Sequence, residues 1–238
     1  IAAAYDSANN KVVIAYQDRG NSSYGTAVVG TVDPSDNSIS FGTPVVFESA
    51  NTQRIATTYD VNAGKVLVSF QADGGNSGRL TSIVGTVSNT SISFGSAVVI
   101  NTSTSATHVA SVYDANAQKV VLVATTAGAP AAFVCTISGT SVSSGSRVVF
   151  GGSNGEQNRV TYDANAQKVV VICSYSSAGR ARVGTVSGTS ISFGTEATFQ
   201  NATIEEPGIA YDASAQKVVI AYKNSGNSDY GTAIVGTV

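Results

Sequence analysis

Tyr113-Asp114-Ala115-Asn116-Ala117-Gln118-Lys119-Val120-Val121-Leu122-Val123-Ala124 decides the fold, because the chain repeats its pattern five times. Tyr-Asp, a short polar turn, Lys and an apolar run recur from Tyr5, Tyr59, Tyr113, Tyr162 and Tyr211, a period of about 50 residues. A fixed period of this size marks equivalent supersecondary units that bury their faces against one another. The runs after Lys, such as Val169-Val170-Val171-Ile172-Cys173, are short, β-branched and apolar without alternation. They predict strands covered on both faces.

Working outward, each unit reads as four short strands. The first is small and β-prone (Ile55-Ala56-Thr57-Thr58-Tyr59), and the second is the apolar run. The third covers 26–32 and its copies 81–87 and 232–238, and the fourth covers 39–47. No window has a 3.6-residue period, so no helix is expected. The pattern predicts an all-β, five-bladed β-propeller of four-stranded antiparallel blades, one domain with repeats 1–54, 55–108, 109–157, 158–206 and 207–238. Small first strands suit the axis. Pro44, Arg147 and Glu196 place strand four at the outer edge, where proline loses no ladder bond and charge deters aggregation. The last repeat stops after its third strand, so that blade lacks its outer strand. It is three-stranded, or completed by a protein partner or further chain, or part of a fragment; the last two are preferred because a bare edge is adhesive. The absence of Met even at position 1 points to a processed or excised chain.

Composition closes off several classes. A net charge of -2 with 12% charged residues offers nucleic acid no basic patch. No apolar stretch of roughly 18 residues predicts a membrane span. Cys135 and Cys173 lie on apolar strands of different repeats and read as small buried fillers.

Turns one-to-two and three-to-four share one face and hardly vary. The longer loops 17–24, 72–79, 125–132, 174–182 and 223–230, with 48–54 and 201–207, share the other, where recognition is expected. There Gly20-Asn21-Ser22, Gly75-Asn76-Ser77 and Gly226-Asn227-Ser228 recur, with Tyr24 and Tyr230 close behind. Amide, hydroxyl and aromatic ring suit a sugar, though Gly-Asn is equally a turn signal. The only histidine, His108, joins Arg54, Arg79 and Arg159 on this face, as readers of an anionic ligand or as solubilising charge. The candidate ligand set is Asp18, Asn21, Tyr24, Asn76, Arg79, His108, Asn227 and Tyr230. The repeated Asp6, Asp60, Asp114, Asp163 and Asp212 either ring a cation or cap their own turns, and their fixed offsets favour capping. No cofactor, metal or catalytic residue is expected. His108 has no neighbouring nucleophile, and Glu156, Glu205 and Glu206 lie in loops rather than on the axial strands.

Gly25-Thr26-Ala27-Val28-Val29-Gly30-Thr31-Val32, with Ser38-Ile39-Ser40-Phe41-Gly42-Thr43-Pro44-Val45-Val46-Phe47, resembles tandem repeats of marine phage and bacterial surface proteins. In blade number the chain is similar to the five-bladed tachylectin-type lectins of invertebrates, although their Trp-rich signature is missing from a chain with no Trp. The chain is expected to be a non-enzymatic recognition or structural module of an extracellular or virion-surface assembly; near-identical blades would offer several equivalent weak sites, which suits multivalent carbohydrate binding as one activity of such a module. The rivals are a pure scaffold pairing through its open edge and a five-bladed glycoside hydrolase.

Overall fold

The computed structural model describes residues 1–73, 77–103 and 105–238. The fold is all-β, in successive antiparallel units. The first holds β1 (Ala2–Asp6), β2 (Lys11–Asp18), β3 (Tyr24–Asp33), β4 (Ser38–Phe41) and the start of β5 (Val45–Asp60). The second holds the rest of β5 with β6 (Lys65–Ala72), β7 (Arg79–Ser88), β8 (Ser91–Phe94) and β9 (Val98–Asn101). The third holds β10 (Thr107–Asp114), β11 (Lys119–Thr126), β12 (Ala129–Ser138), β13 (Ser141–Ser144) and β14 (Val148–Val149). The fourth holds β15 (Glu156–Asp163), β16 (Lys168–Tyr175), β17 (Ala178–Ser187), β18 (Ser190–Phe193) and β19 (Ala197–Gln200). The fifth is three-stranded: β20 (Ile204–Asp212), β21 (Lys217–Asn224) and β22 (Tyr230–Gly236). A single 3-10 turn, Ser225–Asn227, interrupts an otherwise helix-free description.

The repeat fixes the register. Asp6 pairs with Lys11 and Asp114 with Lys119, while Val12 faces Gly30 and Val120 faces Cys135. The apolar second strands of the second, third and fourth units are buried on both sides because each of these sheets is sandwiched between two others. Val120, Leu122 and Ala124 pack toward the second unit, whereas Val121 and Val123 pack toward the fourth. The core is therefore a series of inter-unit layers, and each fully buried aliphatic side chain stabilises by ~1.5–3 kcal/mol. Cys135 and Cys173 are free and buried in two different layers. Burial pushes each thiol up to about 12, leaving little reactive thiolate at neutral pH.

Two expectations are corrected. Strand four, read as one stretch over 39–47, is two pieces. β4 pairs with the end of β3 (Val32 with Ile39), and β5 pairs with its start (Thr26 with Val46). Gly42-Thr43-Pro44 lies in the break, so Pro44 is not in mid-strand. The break exists because Gly42 donates its N–H to the Val29 carbonyl at 2.9 Å while its Cα abuts the Thr90 carbonyl of the next unit. Arg147 and Glu196 occupy the same break and turn inward rather than guarding an edge. Arg147 donates to the Thr126 and Ala129 carbonyls. Glu196 accepts from Tyr175, Arg180 and Arg182. The second correction concerns 48–54, read as a loop. β5 runs unbroken through it, because Asn51 pairs with Tyr24 and Thr52 with Ala72.

Candidate functional site

On the face of tight turns, the repeated aspartates act as caps. Asp114 Oδ1 accepts the N–H groups of Asn116 at 3.0 Å and Ala117 at 2.9 Å. Asp6, Asp163 and Asp212 do the same in their own turns. The motif tyrosine of the following unit completes the arrangement. The Tyr162 hydroxyl accepts the Asn116 N–H and the Tyr211 hydroxyl accepts the Asn165 N–H, each at 3.2 Å. Tyr-Asp is thus a latch between units as well as a turn signal.

On the opposite face the first strands share an irregularity. Registers shift between Gln53 and Ala56, Thr107 and Ala110, Glu156 and Arg159, and Glu205 and Gly208. Each of these bulges holds one left-handed residue: Arg54 (φ 51°), His108 (φ 51°), Gln157 (φ 58°) or Glu206 (φ 47°). Such φ values are costly for residues with a side chain and gather at functional sites. Three cationic or basic side chains converge here. Arg54, His108 and Arg159, from successive first strands, line one cavity of about 430 Å³ with Ile1, Ala3 and Ser111. Among the described residues, its wall carries no carboxylate. A second hollow of about 440 Å³ shares Ile1, Arg54 and Ile55 and adds Gln17, Thr52 and Gln53. Together they form a cationic mouth continuing into an amide-lined groove.

The electrostatics follow from this crowding. Burial, then the Arg54 charge, hold His108 below its ordinary value; Arg159 adds to this and Glu156 opposes it. Burial also lowers Arg159, which stays charged. Arg54 Nε donates to Gln71 Oε1 at 3.1 Å, and Arg159 Nη1 to the Asn158 carbonyl at 2.8 Å. Their remaining donors leave room for an anion.

The other predicted ligand residues are not drawn into this mouth. Gly20-Asn21-Ser22 is a turn: the Asn21 N–H donates to the Asp18 carbonyl, Tyr24 N–H to Asn21, and Gly20 N–H to Asp18 Oδ1. Asn21 is exposed and Tyr24 half-buried on the first unit, while Asn227 and Tyr230 are exposed on the fifth. Arg79 opens β7 half-buried on the second, and Asn76 lies outside the described residues. Of the candidate residues that the structure describes, only His108 lines the axial cavity. Arg54 and Arg159 join it there, and Gln17 and Gln53 extend it. The usable signal was that Arg54 and His108 stand one period apart at the same repeat position.

No protein-family model matches this sequence, and no curated protein matches it. Among solved structures, an engineered GH43 glycoside hydrolase with endo-xylanase and exo-arabinofuranosidase activity matches with a TM-score of 0.54 at 9% identity. That match covers 98% of this chain and 49% of the enzyme. An exo-β-1,3-galactanase from Phanerochaete chrysosporium matches with a TM-score of 0.52 at 10% identity, over 89% of this chain and 53% of that one. TolB from Acinetobacter baumannii aligns over 99% of this chain and 54% of its own at 12% identity, with a TM-score of 0.48. The chain spans about half the length of each. At these identities the likeness establishes the fold alone: an all-β propeller of antiparallel sheets.

Proposed function

We propose that this chain is a non-catalytic recognition module on the outside of a cell or virion, and that its axial mouth binds an acidic saccharide. The carrying observation is that Arg54, His108 and Arg159 line one cavity whose described wall holds no carboxylate. A sugar carboxylate placed there offsets the mutual repulsion of the cations and gains charge-assisted hydrogen bonds. The hydroxyls of adjoining sugar residues meet Gln17, Thr52 and Gln53 in the continuing groove. Glycoside hydrolysis needs two facing carboxyl groups. Glu205 instead pairs with Lys223 at 2.8 Å on the fifth unit, which favours binding over cleavage. The exposed loops at Asn21, Tyr24, Asn227 and Tyr230 add secondary contacts in this reading.

Calorimetric titration with trigalacturonate, against its fully methyl-esterified form, tests the proposal. The acid form binds, and Arg54→Ala weakens it by about 10-fold or more, as expected for lost hydrogen bonds to a charged group. Equal binding of the neutral ester, unaffected by Arg54→Ala but lost in Asn21→Ala, would move the site to the loops. Release of reducing ends during the titration would make the chain an enzyme.

The mouth also predicts a pH dependence. His108 ionises below its ordinary value in the folded chain, whereas the unfolded chain binds that proton near pH ~6.5. As pH falls below ~6.5, the unfolded state gains a proton that the folded state resists, so stability drops. Urea midpoints compared between pH 7.5 and pH 5 should therefore fall less in His108→Gln than in the parent. An identical fall in both proteins would refute the assignment.

A further inference from the structure

Beside the axial mouth, a chain of side-chain amides runs between the first and second units and ends on one carboxylate. Asp73 Oδ2 accepts from Asn51 Nδ2 at 3.0 Å and from Gln53 Nε2, and Asp73 Oδ1 accepts from Gln71 Nε2 at 3.1 Å. Asn51 Oδ1 in turn accepts from Gln17 Nε2 at 2.7 Å, which ties β2 of the first unit to β5. Gln71 Oε1 accepts from Arg54 Nε. The backbone holds these groups in place. Gln53 pairs with Gln71 across β5 and β6, and the Asp73 N–H donates to the Asn51 carbonyl at 2.9 Å.

Charge decides which way each amide faces. A carboxylate accepts hydrogen bonds and donates none, whereas a guanidinium donates and never accepts. Asp73 therefore draws the nitrogen ends of Asn51, Gln53 and Gln71, and Arg54 draws the oxygen of Gln71. With its nitrogen turned to Asp73, Asn51 offers its oxygen to Gln17 and so draws the Gln17 nitrogen. The ends left over are oxygens. Among the described residues, Gln17 Oε1 and Gln53 Oε1 have no hydrogen-bond partner. Thr52 shows the groove the same polarity, because its hydroxyl donates to the Ala50 carbonyl at 3.0 Å and keeps only lone pairs to offer. One acidic residue, standing outside both hollows, thus gives the groove a row of acceptors beside a mouth of cationic donors.

We propose that Asp73 is a positioning residue that sets the specificity of the groove, so that the ligand must present O–H or N–H donors next to its acid group. This rests on the acidic-saccharide reading of the mouth and narrows it. A uronide chain with free hydroxyls satisfies both halves: its carboxylate meets Arg54, His108 and Arg159, and its hydroxyls donate to Gln17, Thr52 and Gln53. A chain whose hydroxyls are capped as methyl ethers keeps the acid but sets acceptor against acceptor along the groove. Groups desolvated without a partner weaken such a complex by about 10-fold. Asp73 acts on this choice only through the amides that it turns.

Calorimetry with two probes tests it: trigalacturonate, and the same trimer with every hydroxyl methylated and every carboxylate free. The parent binds the hydroxyl form about 10-fold more tightly. Asp73→Asn then reverses the groove. Its NH2 group takes the place of Oδ2, because at the Oδ1 position it would turn the Gln71 nitrogen against Arg54, donor against donor. Asn51 and Gln53 turn over in response, and the free ends at Gln53 and Gln17 become N–H donors. Hydroxyls accept as readily as they donate, so trigalacturonate binds within about 3-fold of before, while the ether form gains and the preference falls below about 2-fold. A residue that merely held its loop would weaken both probes alike. If Asp73→Asn loses the parent's circular dichroism, Gln53→Met is read instead; it removes one acceptor and lowers the preference to about 3-fold. Equal binding of both probes by the parent overturns the proposal and leaves the acidic-saccharide reading standing. A preference that survives the substitution also overturns it, since bulk then excludes the methyl groups. Binding of neither probe defeats the reading of the mouth and takes the role of Asp73 with it.

Discussion

Replacing Gly145 with alanine lowers the melting temperature by about 6–12 °C, while the same change at Gly194 leaves it unchanged or slightly raised. The two glycines occupy the same repeat position. Each donates its N–H to strand three at 2.9 Å, Gly145 to the Val134 carbonyl and Gly194 to that of Val183. They differ in what stands beside them. A Cβ at position 145 would lie 1.7 Å from the Thr189 carbonyl oxygen and 2.8 Å from its carbon, both backbone atoms of the next unit's turn. No flexible side chain can swing away, so the units must part. Overpacking of this kind costs ~3 kcal/mol or more, and each kcal/mol shifts a domain of this size by ~2–4 °C. At position 194 the nearest atom is the Val183 carbonyl oxygen at 3.8 Å, an ordinary contact. Alanine there also restricts the unfolded chain, worth ~0.4–1 kcal/mol. Scanning calorimetry of the pair decides: equal losses at both positions would mean the glycine serves its own break, not its neighbour.

Phe133→Ala lowers stability by ~3–5 kcal/mol in urea unfolding. Phe133 is fully buried in the layer between the second and third units, beside Leu122, Leu80 and Cys135. Two hydrogen-bonded sheets hold that layer apart, so the vacated volume cannot collapse, and the cost falls toward the upper end for a large core truncation. The variant also has a local reporter. Cys135 shares the layer, whereas Cys173 lies in the next one. Mass spectrometry after brief exposure to a thiol reagent should find Cys135 modified well ahead of Cys173. Equal labelling of both cysteines, at the rate of global unfolding, would show that the layers do not loosen independently.

Much of this architecture was legible because it is local and repeated. Tyr-Asp-turn-Lys announced a hairpin, and unbroken runs such as Val120 to Ala124 announced a sheet covered twice. What escaped the sequence depended on a neighbour. Gly42-Thr43-Pro44 reads as strand until the Thr90 carbonyl of the next unit is seen against Gly42. Glu196 reads as an edge charge until Arg180 and Arg182 are seen beside it, at 3.2 Å and 3.3 Å. The segment 48–54 is polar enough for a loop, and only its pairing to Tyr24 and Ala72 keeps it in the ladder. The site divided in the same manner. The Gly-Asn-Ser elements were found by their spelling, and Gly20-Asn21-Ser22 and Gly226-Asn227-Ser228 lie in turns. The cationic mouth is assembled from residues about one period or more apart, whose meeting depends on how the first strands converge.

Load-sharing along the polypeptide follows from β5. Its 16 residues belong to the outer edge of the first unit and the inner strand of the second, so tension between these two passes through one continuous, laterally braced backbone. Farther along the chain, residues 150–155 and 201–203 leave the ladder between β14 and β15 and between β19 and β20. Those joins are held by isolated bonds, such as Phe150 N–H to the Pro130 carbonyl and Ser225 N–H to the Thr203 carbonyl, in place of a ladder. Stretched from its ends, this propeller therefore gives way at its later joins first and keeps its first two units as the last intact piece.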